Sequence, residues 1–559
     1  MPRLAVASLV TLAFAAGFAC TAVTDRAPPM PDEAPPAPVG ATLLEGLGAY
    51  TMGAVTQNAT AQRWFDQGLN LSYGFNHDAA ERSFLKATEA DPSCAMCWWG
   101  AALVLGPHVN AAMDPANTGK AWMRVQKAAA LAANGSARER AYIEALTARY
   151  AAKAPEDRKP LDEAYAKAMR GLVKQFPDDL DAATMQAESL MDLQPWYYYD
   201  QQGKPLGHTD EFVSGLESVM KRNPDHPGAL HLYIHAVEAS TNADRGAVAA
   251  DRLRELVPGS GHLVHMPAHI YTRVGRYHDA VVVNQKAIKA DDAYLATCTP
   301  APGVYPLGYV PHNHHFLWWA SSMEGASGRA LAAAAETARR ANIPDLIKVP
   351  GFEFLQDFSV TPIKASVQFG RWNELLTMPR PADDLPYPVA IWHFGRGMAN
   401  TRQGKLAEAQ AHLDALTLAA ADPAFEKYFV GPQHTLSRTL KVAERVLAGE
   451  LAAARKDYEV AVAALQQAVA LEDANVYYEP PLWHQPTRQP LGAVLLKAGK
   501  AARAEAVYRE DLARNRANGW SLYGLARSLK AQGKPTGEVD RQFKAAWKNS
   551  DVSLTASTF

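Results

Sequence analysis

Cysteine is scarce in this chain: Cys20, Cys94, Cys97 and Cys298 are the only four in 559 residues. An excess of charge of either sign is also missing. The formal net charge is −2, so the basic stripe that a nucleic-acid partner requires is absent. Strand-type alternation of apolar and polar residues is rare, while alanine is abundant, which leaves an all-α class. No stretch after the N-terminus is apolar enough to span a membrane. Several chemical signatures are missing as well. There is no Gly-rich phosphate loop opening a helix after a strand, no G-x-S-x-G elbow and no H-E-x-x-H. Those absences remove the common phosphate-binding, serine-hydrolase and zincin readings.

The N-terminus carries what the rest lacks. "MPR" is a short basic start, and "LAVASLVTLAFAAGFA" is an apolar run too short for a comfortable membrane span. It reads as an export signal over 1–19. Small residues Gly17 and Ala19 suit ordinary cleavage, whereas Cys20 offers a site for lipidation; both readings stand. The location is then periplasmic, or membrane-anchored as a bacterial lipoprotein, with any membrane contact made through Cys20. A Pro-rich tether follows over 20–41. In an oxidising compartment Cys94-x-x-Cys97 is placed to close a local disulfide. A redox-active role would need a thioredoxin-like βαβ context, which is not present.

From Trp64 the text "WFDQGLNLSYGFNHDAAERSFLKATEADP" resembles the tetratricopeptide repeat (TPR), a 34-residue helix-turn-helix unit. Trp64, Gly68, Ala80, Phe84, Ala87 and Pro92 fall at repeat positions 4, 8, 20, 24, 27 and 32. Small residues at 8 and 20 let the two helices approach, large ones at 4 and 24 fill between units, and Pro ends the second helix. Pro177, Pro224 and Pro258 repeat that last position. "GRYHDA" from Gly275, "GKLAEAQAHL" from Gly404 and "GKAARAEAVY" from Gly499 repeat the turn. About eight to ten units are expected over residues 60–550. The fold should be an all-α, right-handed α-solenoid of TPR units with loop insertions.

Breaks in the repeat fall near 106–140, 194–210, 296–311 and 342–386. The expected organisation is an N-terminal solenoid over 42–341, an irregular connector over 342–386 and a C-terminal solenoid over 387–559. The segments "GHLVHMPAHIYTRVGRY", "YVPHNHHFLWW" and "CAMCWWGAAL" also resemble a group of exported bacterial TPR proteins. That resemblance implies export and a solenoid, and it carries no assigned reaction.

The repeat register gives the histidines meaning. With Pro258 at position 32, His262, His265 and His269 occupy positions 2, 5 and 9 of a first helix. These positions line the concave groove in TPR proteins. One unit earlier, His231 and His235 are positions 5 and 9, and Glu238 is position 12. One unit later, His312 and His315 are positions 2 and 5, with His314 off the stripe. Glu188 falls at position 9 of the unit before. His231, His265 and His315 are therefore expected side by side, His235 and His269 one turn along, and His262 and His312 one turn back. His278, His393 and His484 lie off the stripe.

Imidazoles from adjacent helices, about 8–10 Å apart, can converge on one ion. Neutral imidazole suits zinc, copper or iron. The candidate metal ligands are thus His231, His235, His262, His265, His269, His312 and His315. Glu188 and Glu238 stand nearby as further ligands or as residues that orient them. Tyr271, Trp318, Trp319 and the run Trp196–Tyr199 are candidate lining, or ordinary inter-helix packing. In "YYEPPLWHQPTRQ", Glu479, His484 and Arg488 are candidate groove-rim contacts, or serve packing and the entry to the next helix.

Three functions follow. The first is an exported TPR scaffold whose histidine groove binds a divalent transition metal, a small polar ligand, or both. The second is a metal-dependent enzyme of oxidase or hydrolase type on the same solenoid. The third is a plain protein- or peptide-binding module of the cell envelope. The Lys/Asn carboxylate clamp found in many TPR peptide receptors is replaced here by histidines.

Overall fold

A computed structural model describes residues 41–298, 303–431 and 433–559. The expected export signal, Cys20 and all of the expected tether but Ala41 lie outside the described residues.

The chain is an all-α solenoid of consecutive antiparallel helix pairs. The first pair, Ala59–Tyr73 and His77–Ala90, begins where Asn58 and Asn76 accept hydrogen bonds from the first free helix N–H groups. Helix Ala137–Thr147 opens with a capping box, Ser136 with Glu139. Pairs then stack through one repeated device. The Phe84 ring lies between Gly68 and Gly100, each sixteen residues away. A Cβ added at either glycine would come within 2.8 or 2.5 Å of the ring. Tyr508 sits in the same way between Gly492 and Gly524, and Leu465 faces Gly449. A large side chain on the second helix thus seats against bare backbone on neighbouring first helices.

The Cys94–Cys97 disulfide is formed and closes the start of helix Ala95–Leu103. Two expected breaks prove to contain helices. Thr118–Leu131 packs on Ala95–Leu103, and 342–386 holds Phe354–Ser359, Thr361–Gln368 and Trp372–Thr377. Pro and Gly near these stretches end helices without abolishing them. The stretch 194–208 is a loop, pinned by an isolated bridge between Tyr199 and Pro205.

The array closes on itself. Trp520 donates its indole N–H to the Ser322 carbonyl at 2.9 Å, and Arg516 pairs with Asp244. Asp551 accepts from the N–H groups of Ser327 and Gly328, capping helix Ser327–Ala341 from across the molecule. Gly275 has φ +81°, and a Cβ there would lie 2.6 Å from the Arg516 carbonyl oxygen, so the closure needs that bare turn. No described helix is long and apolar enough to cross a membrane.

Candidate metal centre

Three elements present the histidines. Helix Pro227–Glu238 carries His231, His235 and Glu238. It starts at Pro227, with the His226 ring accepting from the Ala229 N–H. The next segment is split at Met266 into Gly261–His265 and Pro267–Arg273. Pro267 has no N–H to donate, which interrupts the ladder between His265 and His269. Helix Val310–Met323 carries His312 and follows a wide turn at Tyr305–Tyr309.

These elements gather the rings into two triads. His231, His235 and His262 form one; His265, His269 and His312 form the other. In each, one ligand atom per residue lies within 4.8 Å of the others. The arrangement departs from the simple register. His262 meets His231 at 4.9 Å between ring centres, and His312 meets His265 at 5.0 Å. The position-2 residue of one helix thus faces the position-5 residue of the helix before it, while His235 and His269, both at position 9, stay neighbours at 5.8 Å. His315 does not join them. It stacks on Trp318 and Phe358, outside both triads. Glu188 is outside as well, in a buried group with Arg149 and Asp192 where burial pushes its carboxyl up to about 7.

The ring orientations are specific. His231 Nδ1 is 2.6 Å from the Tyr73 carbonyl, and His235 Nδ1 is 2.9 Å from Glu238 Oε1. His265 Nδ1 is 2.7 Å from Asn284 Oδ1, and His269 Nδ1 is 2.5 Å from Glu238 Oε2. The Asn284 amide nitrogen donates to the Ala280 carbonyl, which fixes its oxygen toward His265. Each Nδ1 faces an acceptor and so carries the proton, which puts a lone pair on Nε2 wherever the ring is neutral. Such oriented imidazoles are the usual state of histidine ligands to metals. His231 Nε2, His235 Nε2 and both nitrogens of His262 have no hydrogen-bond partner among the described residues. These rings are at most 2 % exposed. An unpartnered buried polar atom costs about 1–3 kcal/mol, and four of them lie in one triad.

Burial holds the rings neutral. It pushes His231, His262, His265 and His312 well below the usual imidazole value, and His235 down to about 3. Burial also opposes a charge on His269, but the flanking Glu479 and Glu238 carboxylates outweigh it and hold this ring up to about 10. His269 Nε2 then donates to His265 Nε2 at 2.7 Å. Burial, reinforced by Glu238 and opposed by His269, pushes Glu479 up to about 7.

The groove is filled rather than open. Glu479 and Tyr477, from the far end of the array, reach His269 and Glu238. Trp196 from the 194–208 loop lies edge-on to His235 at 5.3 Å, and Tyr309 stacks on His262 at 4.4 Å. Phe75 covers His231 at 4.5 Å. Only His312 among the six is less than fully buried. His77 and His108 extend the group past Phe75, their rings 4.4 Å apart. His77 falls at repeat position 17, on a second helix, and His108 in an expected break, so the groove positions do not include them.

The remaining candidates pack elsewhere. Tyr271 donates to Asp251 beneath Arg276. Trp318 lies between His315 and His484, and Trp319 donates to the His484 carbonyl. Tyr199 donates to the Ala236 carbonyl. Of the rim residues, Glu479 enters the site, while Arg488 pairs with Asp473 away from it.

No family model and no curated protein sequence matches the chain. Solved structures match over most of its length with little identity. A human IFIT1 dimer with PPP-AAAA is 13 % identical, covers 89 % of this chain and 95 % of that one, and gives a TM-score of 0.30. The same protein with m7Gppp-AAAA is 11 % identical over the same shares, at 0.32. Naa15/Naa10 bound to HypK-THB is 11 % identical, covers 87 % of this chain and 70 % of that one, at 0.23.

Proposed function

We propose that this protein is an exported, TPR-type scaffold that sequesters a transition metal inside its closed solenoid. The ligands are His231, His235, His262, His265, His269 and His312. The observation that carries the reading is the set of four Nδ1–H groups tied to fixed acceptors, which aim four Nε2 atoms inward. Glu238 orients His235 and His269 and forms with them a third possible ligand group. The outer helical surface remains available to a protein partner. The protein, purified without a histidine tag, should contain stoichiometric zinc, copper or iron by elemental analysis. His265→Ala and His269→Ala should lower that content and abolish stabilisation by added metal. Metal-free protein whose melting temperature ignores all three metals would sink the proposal.

An enzyme on the same site is the second reading, favoured by half-buried His312, the one ligand with access from outside. Turnover of an oxidase or hydrolase substrate by the metallated form alone would select it.

A further inference from the structure

We infer that the protein has a second ligand site, built around His315, Trp318, Lys364, Gln368 and His484, which takes a small monocarboxylate. It uses residues outside the metal cluster and does not depend on the metal-binding reading.

Three elements meet at this site. Helix Val310–Met323 supplies His315 and Trp318, stacked at 5.2 Å between ring centres. The segment before helix Arg488–Lys497 supplies His484, which stacks on Trp318 in turn at 6.1 Å. Helix Thr361–Gln368 supplies Lys364 and Gln368, four residues apart and so on one face. This helix packs on Val310–Met323, and its Val367 shares a cavity wall with Trp483 and Gln485. Lys364 acts on both imidazoles. Burial lowers His484 first, and the Lys364 charge adds to it. Burial also dominates at His315, with Asp357 opposing it and Lys364 adding.

The ligand class follows from the polar atoms that stand unused. His315 Nδ1, Trp318 Nε1, both amide atoms of Gln368 and both ring nitrogens of His484 have no hydrogen-bond partner among the described residues. None of these four residues is more than 5 % exposed. Buried polar side chains are normally hydrogen-bonded, so four together point to something that binds them. Lys364 adds to the set. Its ammonium has three N–H groups and one partner among the described residues, Asp357 Oδ1 at 2.6 Å. The Tyr387 hydroxyl donates to the same oxygen at 2.5 Å and holds it in place. Donors therefore outnumber acceptors: ammonium, indole and amide N–H groups stand against one amide oxygen and the ring lone pairs. A ligand made of acceptors fits that surplus, and the two oxygens of a carboxylate can take charge-assisted bonds from Lys364. Charge limits the ligand to one negative unit. Asp357 already balances Lys364, so each further charge in this buried place is uncompensated and costly. A dianion such as phosphate carries that cost twice.

The test uses the full chain, dialysed into a buffer without carboxylate or phosphate and titrated with sodium acetate by calorimetry. One acetate per chain is expected, and inorganic phosphate at the same concentration should not displace it. Gln368→Met keeps the volume and removes two unpartnered polar atoms. It should weaken acetate by about tenfold or more, as loss of a hydrogen bond to a charged group does. The acetate-free variant should melt no earlier than wild type. Lys364→Met combined with Asp357→Asn removes both charges together and should abolish binding. His484→Leu is read in the same way as Gln368→Met if that variant melts early. No saturable acetate binding, phosphate bound as tightly as acetate, or wild-type affinity in both Gln368→Met and His484→Leu would overturn the site.

Discussion

Asp291 and Glu238 are both buried carboxylates, and they have different partners. Glu238 faces an imidazole on each oxygen. Asp291 accepts only neutral donors, the Tyr305 hydroxyl at 2.8 Å and the Asn313 amide at 2.7 Å. Burial therefore wins and pushes its pKa from 3.8 up to about 7. In the folded state Asp291 binds a proton that the unfolded chain has released. The folded protein thus loses stability as pH rises from about 4 to 7, by roughly 1.4 kcal/mol for each unit. Below that window the two states are equally protonated and the cost vanishes. Asp291→Asn should raise the melting temperature at pH 8 and leave it nearly unchanged at pH 4. The Asn313 amide can turn its free oxygen, unpartnered in the protein, toward the new amide. Equal shifts at both pH values would show that Asp291 is not held protonated.

At the scale of the helix, the Phe84 device governs stacking. Phe84→Ala removes a ring that two glycine faces are shaped to receive, and the backbone cannot collapse onto the gap. A loss of about 3–5 kcal/mol is expected, measured by urea unfolding. A loss below 1 kcal/mol would show that the units stack without it. This device was legible: the sixteen-residue spacing of Gly68 and Phe84 is part of the repeat pattern and says which faces meet. The grouping of His231, His235, His265 and His269 on neighbouring first helices was legible for the same reason. The exchange of partners was not. A linear register assumes helices side by side at equal height, and the meeting of His312 with His265 and of His315 with Phe358 departs from it. Pro267 breaks the ladder, and only the fold divides His262 from His265. His77 and His108 come from distant chain and meet the cluster only in the fold, whereas Glu479 was marked as a rim residue and enters the site.

At the scale of the molecule, closure is made by a few contacts between the two ends. Asp551 caps helix Ser327–Ala341 from more than two hundred residues away. Asp551→Ala should cost about 1 kcal/mol and speed amide exchange at Ser327 and Gly328 above that of the helix interior. Unchanged exchange there would mean that the closure does not hold the helix. Closure also bears on how such an array can change over generations. Open solenoids gain or lose a unit cheaply, because each unit touches only its neighbours. Here Glu479 must arrive at His269, and Arg516 at Gly275, after a fixed number of turns of the superhelix. A duplicated or deleted unit between them would carry both out of reach. The copy number of this repeat is therefore set by the chemistry at its centre, as the length of a chain is set by its clasp.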